Sequence, residues 1–181
     1  MALLLAAGAS RRFGTADKLR VSLDPNGAPM LTISARNLAA SGADHLIAVL
    51  RDPALAQLLP GGFSHVICAG EQSSSLRAGL DHARRLGASR LLIALADMPD
   101  VPAALMTRVM AECDDDRPAA CAGPNALPMP PACFPASWFD RIEALRGDRG
   151  AGALLRGGAA RILRTDGDWL RDIDRPEDIA R

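Results

Sequence analysis

A chain of 181 residues, 49% of them hydrophobic, is long enough to bury one sizeable core and sits near the usual size of a single domain. Its 21 Lys and Arg balance 21 Asp and Glu, which excludes a global basic field able to hold nucleic acid or an anionic membrane, so any anionic ligand must be met by local charge. No stretch approaches the ~18 apolar residues of a membrane span, and no basic residue precedes the short apolar opening as in a signal peptide; a soluble, cytoplasmic protein is expected.

The elements alternate along the chain. Ala2–Ala7 is a continuous apolar run, too short for a free-standing helix and ended by Gly8, as expected of a strand buried on both faces. The turn signal DPNGAP, Asp24–Pro29, closes a short hairpin. Helical period then runs over Met30–Ser41, Pro53–Leu59, Ser74–Gly87 and Pro102–Cys113. Between and after these lie short strand-like runs, Leu46–Leu50, Val66–Cys68, Leu91–Leu95 and Ala119–Ala122. Two of the helices begin with Pro and two are followed by Gly42 and Gly87, the usual asymmetry of helix ends. Gly123–Pro131 is too rich in proline for helix. The order β-α-β-α predicts a Rossmann-like, doubly wound α/β domain, its mostly parallel sheet covered by helices on both faces, with ligands collecting beyond the carboxyl ends of the strands.

The cysteines, Cys68, Cys113, Cys121 and Cys133, stand singly without the spacing of a zinc or redox site and read as structural thiols, and the dispersed His45, His65 and His82 suggest no metal cluster. The loop after the first strand is different. Gly8-Ala9-Ser10-Arg11-Arg12-Phe13-Gly14, followed by Asp17 and Lys18, combines small residues that expose backbone N–H groups with three nearby cations. Arg offers phosphate a planar fork and Lys a point charge, so the loop suits a polyphosphate; a solvated glycine-rich turn is the plainer alternative. The spacing fits neither GxGxxG nor GxxxxGK[ST].

Two acids complete the pattern. Asp97 follows directly on the buried run ending at Ala96, and Met98-Pro99 turns the chain away, leaving a carboxylate at the sheet's carboxyl edge. Mg²⁺ prefers oxygen ligands and keeps waters, so one or two protein carboxylates plus substrate phosphate complete its shell. Asp174 is the natural second ligand, because in an extended Asp172-Ile173-Asp174 both acids point one way. Asp172 is either an acceptor behind the metal ligands or a turn residue. The rival roles are helix capping, by Asp97 ahead of Pro102 and by Asp174 ahead of a helix over Pro176–Ala180. Asp114-Asp115-Asp116, between a helix and Arg117-Pro118, reads as a solvated connection. Glu71-Gln72-Ser73-Ser74-Ser75-Leu76-Arg77 lies where a strand gives way to a helix, so its hydroxyls, amide and free N–H groups either face the cleft or serve as ordinary N-caps.

LLLAAGASRRFGTADK, Leu3–Lys18, resembles the signature of the MobA-like NTP transferases, and among them the molybdenum cofactor cytidylyltransferases (MocA-type). The likeness continues through GEQSSSLRAGL (Gly70–Leu80), LADMPDV (Leu95–Val101), PPACF (Pro130–Phe134), GDRGAGALL (Gly147–Leu155) and DIDRPEDI (Asp172–Ile179). It implies a fold of the nucleotide-diphospho-sugar transferase type. It puts Ala6, Ala7, Gly8, Ala9 and Ser10 beside the nucleotide, Arg12 and Lys18 on its phosphates, Gln72 and Ser75 on base or ribose, and Mg²⁺ on Asp97 and Asp174. Ala6-Ala7 before Gly8, in place of a Gly pair, resembles the cytidylyl branch and favours CTP. The Gly147–Ala151 turn would lie on the acceptor side, docking a phosphate or simply capped by Asp148. Met129-Pro130-Pro131 departs from the Gly-His-Pro of many cytidylyltransferases and resembles the PPALF form of other relatives.

The resemblance thus implies transfer of CMP from CTP to molybdopterin with release of pyrophosphate, by in-line attack of the acceptor's terminal phosphate on the α-phosphorus. Arg12, Lys18 and Asp97 carry the catalysis, and no general base is needed because the nucleophile is already ionised. Transient contact with a molybdoenzyme or its chaperone goes with such a role. The alternatives are a guanylyltransferase of the same cofactor, a sugar-phosphate or alcohol-phosphate nucleotidyltransferase, and a non-catalytic nucleotide-binding cofactor chaperone.

Overall fold

The computed structural model describes residues 1–8, 13, 17–23, 27–123, 127–156, 158–165 and 168–180. Among these residues seven strands form one sheet: β1 (Ala2–Ala6), β2 (Leu46–Leu50), β3 (Phe63–Ile67), β4 (Arg90–Leu95), β5 (Ala119–Ala122), β6 (Pro128–Pro135) and β7 (Arg161–Arg164), in the spatial order β3-β2-β1-β4-β6-β5-β7. Every strand but β6 runs in one direction, and β6 lies antiparallel to both β4 and β5. The expected mostly parallel sheet is therefore present.

Alternation along the strands feeds two cores. Ala2, Leu4 and Ala6 of β1 and Leu92 and Ala94 of β4 face one side, where α1 (Met30–Ala39) and α3 (Ala103–Glu112) contribute Leu31, Leu38, Leu105 and Val109. Leu3, Ile47, Val49 and Ile93 face the other, against Leu76 and Leu80 of α2 (Gln72–Arg85) and Ile142 of α4 (Phe139–Glu143). A strand covered on both faces has no polar face, which is why these segments read as unbroken apolar runs. Gly42 and Gly87, with φ of +84° and +78°, follow α1 and α2 in the left-handed conformation that ends helices. Among the described residues no helix is long and apolar enough to cross a membrane.

Several expected boundaries move. The strand expected at Val66–Cys68 begins at Phe63, because this edge strand, only partly covered, mixes Ser64 and His65 among its apolar residues. The helix expected over Pro53–Leu59 is a 3-10 segment, Pro53–Leu58, capped by the Asp52 carboxylate accepting from Ala54 N–H. α2 starts at Gln72 rather than Ser74. The hairpin is present as a bridge between Ser22 and Pro29, while Asp24, Pro25 and Asn26 lie outside the described residues.

The largest difference is β6, absent from the sequence reading although it lies in the middle of the sheet. Proline cannot donate to a ladder and normally argues against a central strand. Here the register jumps from Ala120↔Ala132 to Cys121↔Met129, so Pro130 and Pro131 fall in a bulge where no ladder bond is required of them. β7 and α4 are likewise additions to the expected elements, whereas α5 (Gly152–Leu155) is the helix that the resemblance places after the Gly147–Ala151 turn.

Candidate active site

In an open α/β sheet the crevice forms where consecutive connections leave in opposite directions. Here that point lies between β1 and β4, whose Leu5 and Leu95 are paired in register. Two adjoining cavities open there, of about 650 and about 430 Å³, and both are lined by Leu5, Leu95, Gln72 and Asp148. The larger is polar on the side of Lys18, Asp97, Asp172 and Asp174; the smaller is walled by Arg149, Gly150, Arg156 and the bulge residue Pro130.

Asp97 is presented by a loop that α1 anchors from behind. The Ser34 hydroxyl donates to the Ala96 carbonyl at 2.8 Å and the Asn37 amide to the Pro99 carbonyl at 2.9 Å, which satisfies the carbonyls flanking the turn. The C-terminal segment is joined to the same loop, Ile173 N–H donating to the Asp97 carbonyl at 2.9 Å. Ile173 is buried in the core while Asp172 and Asp174 project to the cavity, as alternation in an extended segment requires. Oxygens of Asp97, Asp172 and Asp174 lie within 4.8 Å of one another.

Lys18 enters this cluster from the other end of the chain. The Asp17 carboxylate accepts from Leu19 N–H at 3.1 Å and from the Arg51 guanidinium at 3.0 Å, fixing the 3-10 turn Lys18–Arg20. The Lys18 ammonium then donates to Asp97 at 2.7 Å, to the Ile173 carbonyl at 3.1 Å and to Asp174 at 3.2 Å. Lys18 is only 6% exposed. Burial opposes its charge, yet Asp97 and the neighbouring acids prevail and hold the ammonium above its ordinary value. Loss of water around the Asp172 carboxyl, with the charges of Asp97 and Asp174 beside it, pushes that group up to about 7. The residue as a whole is exposed by area, but its carboxyl is turned into the acidic cluster, where loss of water and the neighbouring charges act in the same direction.

The capping alternatives find other partners. Pro102 occupies the position before α3, and the carboxylate of Asp97 goes to Lys18. At the start of the C-terminal 3-10 turn Pro176–Ala180, the N–H groups of Asp174 and Arg175 donate to Asp178. Neither Ser73 nor Ser74 caps α2: Ser74 Oγ accepts from Arg77, and the wholly buried Ser73 Oγ has no partner among the described residues. Asp114 instead organises a surface turn, accepting from the N–H groups of Asp116 and Arg117, which agrees with a solvated connection.

Of the sequence-derived candidates, Ala7, Gly8, Lys18, Gln72, Ser75, Asp97 and Asp174 all line the larger cavity. Ala6 is buried in the core immediately before it. Ala9, Ser10 and Arg12 lie outside the described residues. Arg51 and Arg156 were missed. Arg51 follows a predicted strand and Arg156 follows the Gly147–Leu155 motif, neither with a pattern of its own, and only the packing of β2 and α5 brings them near the site. Asp172, left between two roles, belongs to the acidic cluster, and its alternation with Asp174 was the available signal.

The family model for the MobA-like NTP transferase domain matches residues 2–165. The chain is 31% identical to a molybdenum cofactor guanylyltransferase of Cereibacter sphaeroides, over 99% of this chain and 93% of that protein. It is 28% identical to the purine catabolism protein PucB of Bacillus subtilis, over 97% and 92%. Among solved structures, Rv0371c from Mycobacterium tuberculosis H37Rv superposes with a TM-score of 0.85 at 26% identity, covering 99% of this chain and 94% of that one. A cleft at the β1/β4 switch point with the basic Lys18 and the Asp97 cluster on its wall accords with these likenesses, and the chain belongs to the MobA-like NTP transferase family.

Proposed function

We propose that this protein transfers a nucleoside monophosphate from an NTP to the terminal phosphate of molybdopterin, releasing pyrophosphate, as a cytoplasmic, Mg²⁺-dependent enzyme. The observation that carries the reading is the meeting of Lys18, from near the chain's start, with Asp97 and Asp174, from its middle and tail, on one wall of a cavity large enough for a nucleotide.

The donor set fits a hard divalent cation, being three carboxylates with mutually adjacent oxygens and no thiol or imidazole among them. Asp97 and Asp174 would hold the ion, with Asp172 beside them. Bound there, Mg²⁺ would neutralise charge on the transferring phosphoryl group.

The chain's own groups account for the rest. Lys18 supplies a fixed positive charge that needs no reorganisation during transfer, and its carboxylate partners keep it protonated. Gln72 and Ser75, at the first turn of α2, offer an amide and a hydroxyl to base or ribose. Arg149 and Arg156 on the wall of the smaller cavity suit an anionic acceptor, so the two substrates would meet over Leu5 and Leu95. Holding both in line converts a bimolecular step into an effectively unimolecular one, and an ionised phosphate nucleophile needs no base.

Ala6-Ala7 ahead of Gly8 favours CTP as donor. The guanylyltransferase of Cereibacter sphaeroides supports the second reading, GTP with the same acceptor. Pyrophosphate release is measured with each NTP, Mg²⁺ and molybdopterin, with sugar phosphates as rival acceptors. The reading expects release with CTP and molybdopterin together. Release with GTP alone would shift the donor, release only with sugar phosphates would replace the acceptor, and no release with any pair would leave a nucleotide-binding chaperone.

A further inference from the structure

Gly150 lines the smaller cavity and lies against Gln72, which lines both. A Cβ built on it would lie 2.8 Å from Cδ and from Oε1 of Gln72 and 3.0 Å from Nε2. These separations are well inside carbon contact distance, so any side chain at this position must displace the Gln72 amide. The backbone itself makes no such demand, since Gly150 is not among the glycines of positive φ. What glycine supplies here is room.

Gln72 is placed to transmit the effect. It opens α2 and lines both cavities. A second contact joins the same two segments, Ser73 N–H donating to the Gly147 carbonyl at 3.2 Å. Gln72 is exposed, and a long exposed amide is free to change rotamer unless a neighbour confines it.

We propose that Gly150 is a positioning residue for Gln72: its missing side chain lets the amide lie against the turn that borders the acceptor cavity, so that a segment of the acceptor side sets how the nucleotide is held. The inference rests on the assignment of the larger cavity to the NTP and the smaller to the acceptor. It makes the two substrates interdependent, because an acceptor that shifts the turn at Gly150 shifts a nucleotide contact with it.

The test is a double-mutant cycle on the full chain, titrating Mg–CTP and Mg–GTP calorimetrically into wild type, Gly150→Ala, Gln72→Ala and the double variant. Each single substitution is expected to weaken nucleotide binding about 5-fold, the order of one neutral hydrogen bond, with the double variant no weaker than Gln72→Ala. Penalties that multiply to about 25-fold would overturn the proposal, since residues acting through one contact do not add. In steady state Gly150→Ala should raise KM for the NTP; a change confined to KM for molybdopterin would equally overturn it. Should Gly150→Ala not fold alone, the Gln72→Ala background accommodates it, and a further loss of nucleotide affinity there counts against the proposal. A wild-type chain that binds neither nucleotide removes the functional assignment itself, whereas a binding wild type with an additive cycle removes only this inference.

Discussion

Two glycines touch the same helix and teach different things about it. A Cβ on Gly79, in the middle of α2, would meet Leu3 Cδ1 at 2.5 Å and Val49 Cγ2 at 2.9 Å, both side chains fully buried. A Cβ on Gly150 would meet the exposed Gln72, at the start of α2, at 2.8 Å. The crowding is similar, yet Leu3 and Val49 are held in a close-packed interior that cannot yield, while the Gln72 amide can turn away into the cavity. Substitution at the helix's middle is therefore a question of stability, and at its start one of ligand geometry.

The contrast is sharpest where function is expected to fail with the fold intact. Asp97→Asn keeps the shape of the site but removes a charge beside Lys18, and turnover should fall by about 1,000-fold with an unchanged far-UV spectrum, the size seen when a preorganised electrostatic group is lost. Full turnover in that variant would break the assignment of Asp97. Next in size, Gly79→Val should cost about 3 kcal/mol of stability by overpacking, read as a lower midpoint in urea, while the folded fraction retains its KM values. A Gly79 variant that changed KM without changing the midpoint would erase the distinction between the two ends of α2.

Lys18→Met should have the smallest effect on stability. It removes the ammonium that Asp97 and Asp174 share, yet Asp174 is 41% exposed on its side chain, so water offsets part of the loss and about 1 to 2 kcal/mol is expected. Mg²⁺ should restore much of this in a thermal melt if the three acids bind it; a midpoint indifferent to Mg²⁺ would count against the metal site.

The legible parts of the molecule are those whose causes are local. β1, β2 and β4 announced themselves as apolar runs because both faces of each are covered, and Gly42 and Gly87 marked helix ends because only a left-handed residue closes those turns. Lys18, Asp97 and Asp174 were legible by kind and by their position after a strand or in an extended segment. β6 was hidden because its prolines argue against a central strand, and the bulge that excuses them belongs to the pairing with β5. Arg156 was hidden because an arginine just past a short helix carries no pattern until α5 has packed against β6.

By itself the sequence determined the alternating α/β layout, the polarity of the sheet's carboxyl edge and the kinds of charge gathered there, because burial and turn chemistry act over a few neighbouring residues. Only the tertiary structure decided that Lys18 lies 2.7 Å from Asp97 and 3.2 Å from Asp174, that Asp172 joins them, and that Gly150 rests against Gln72. Those contacts join residues far apart along the chain, and their distances are set by the stacking of the helices on the sheet, which no local pattern encodes.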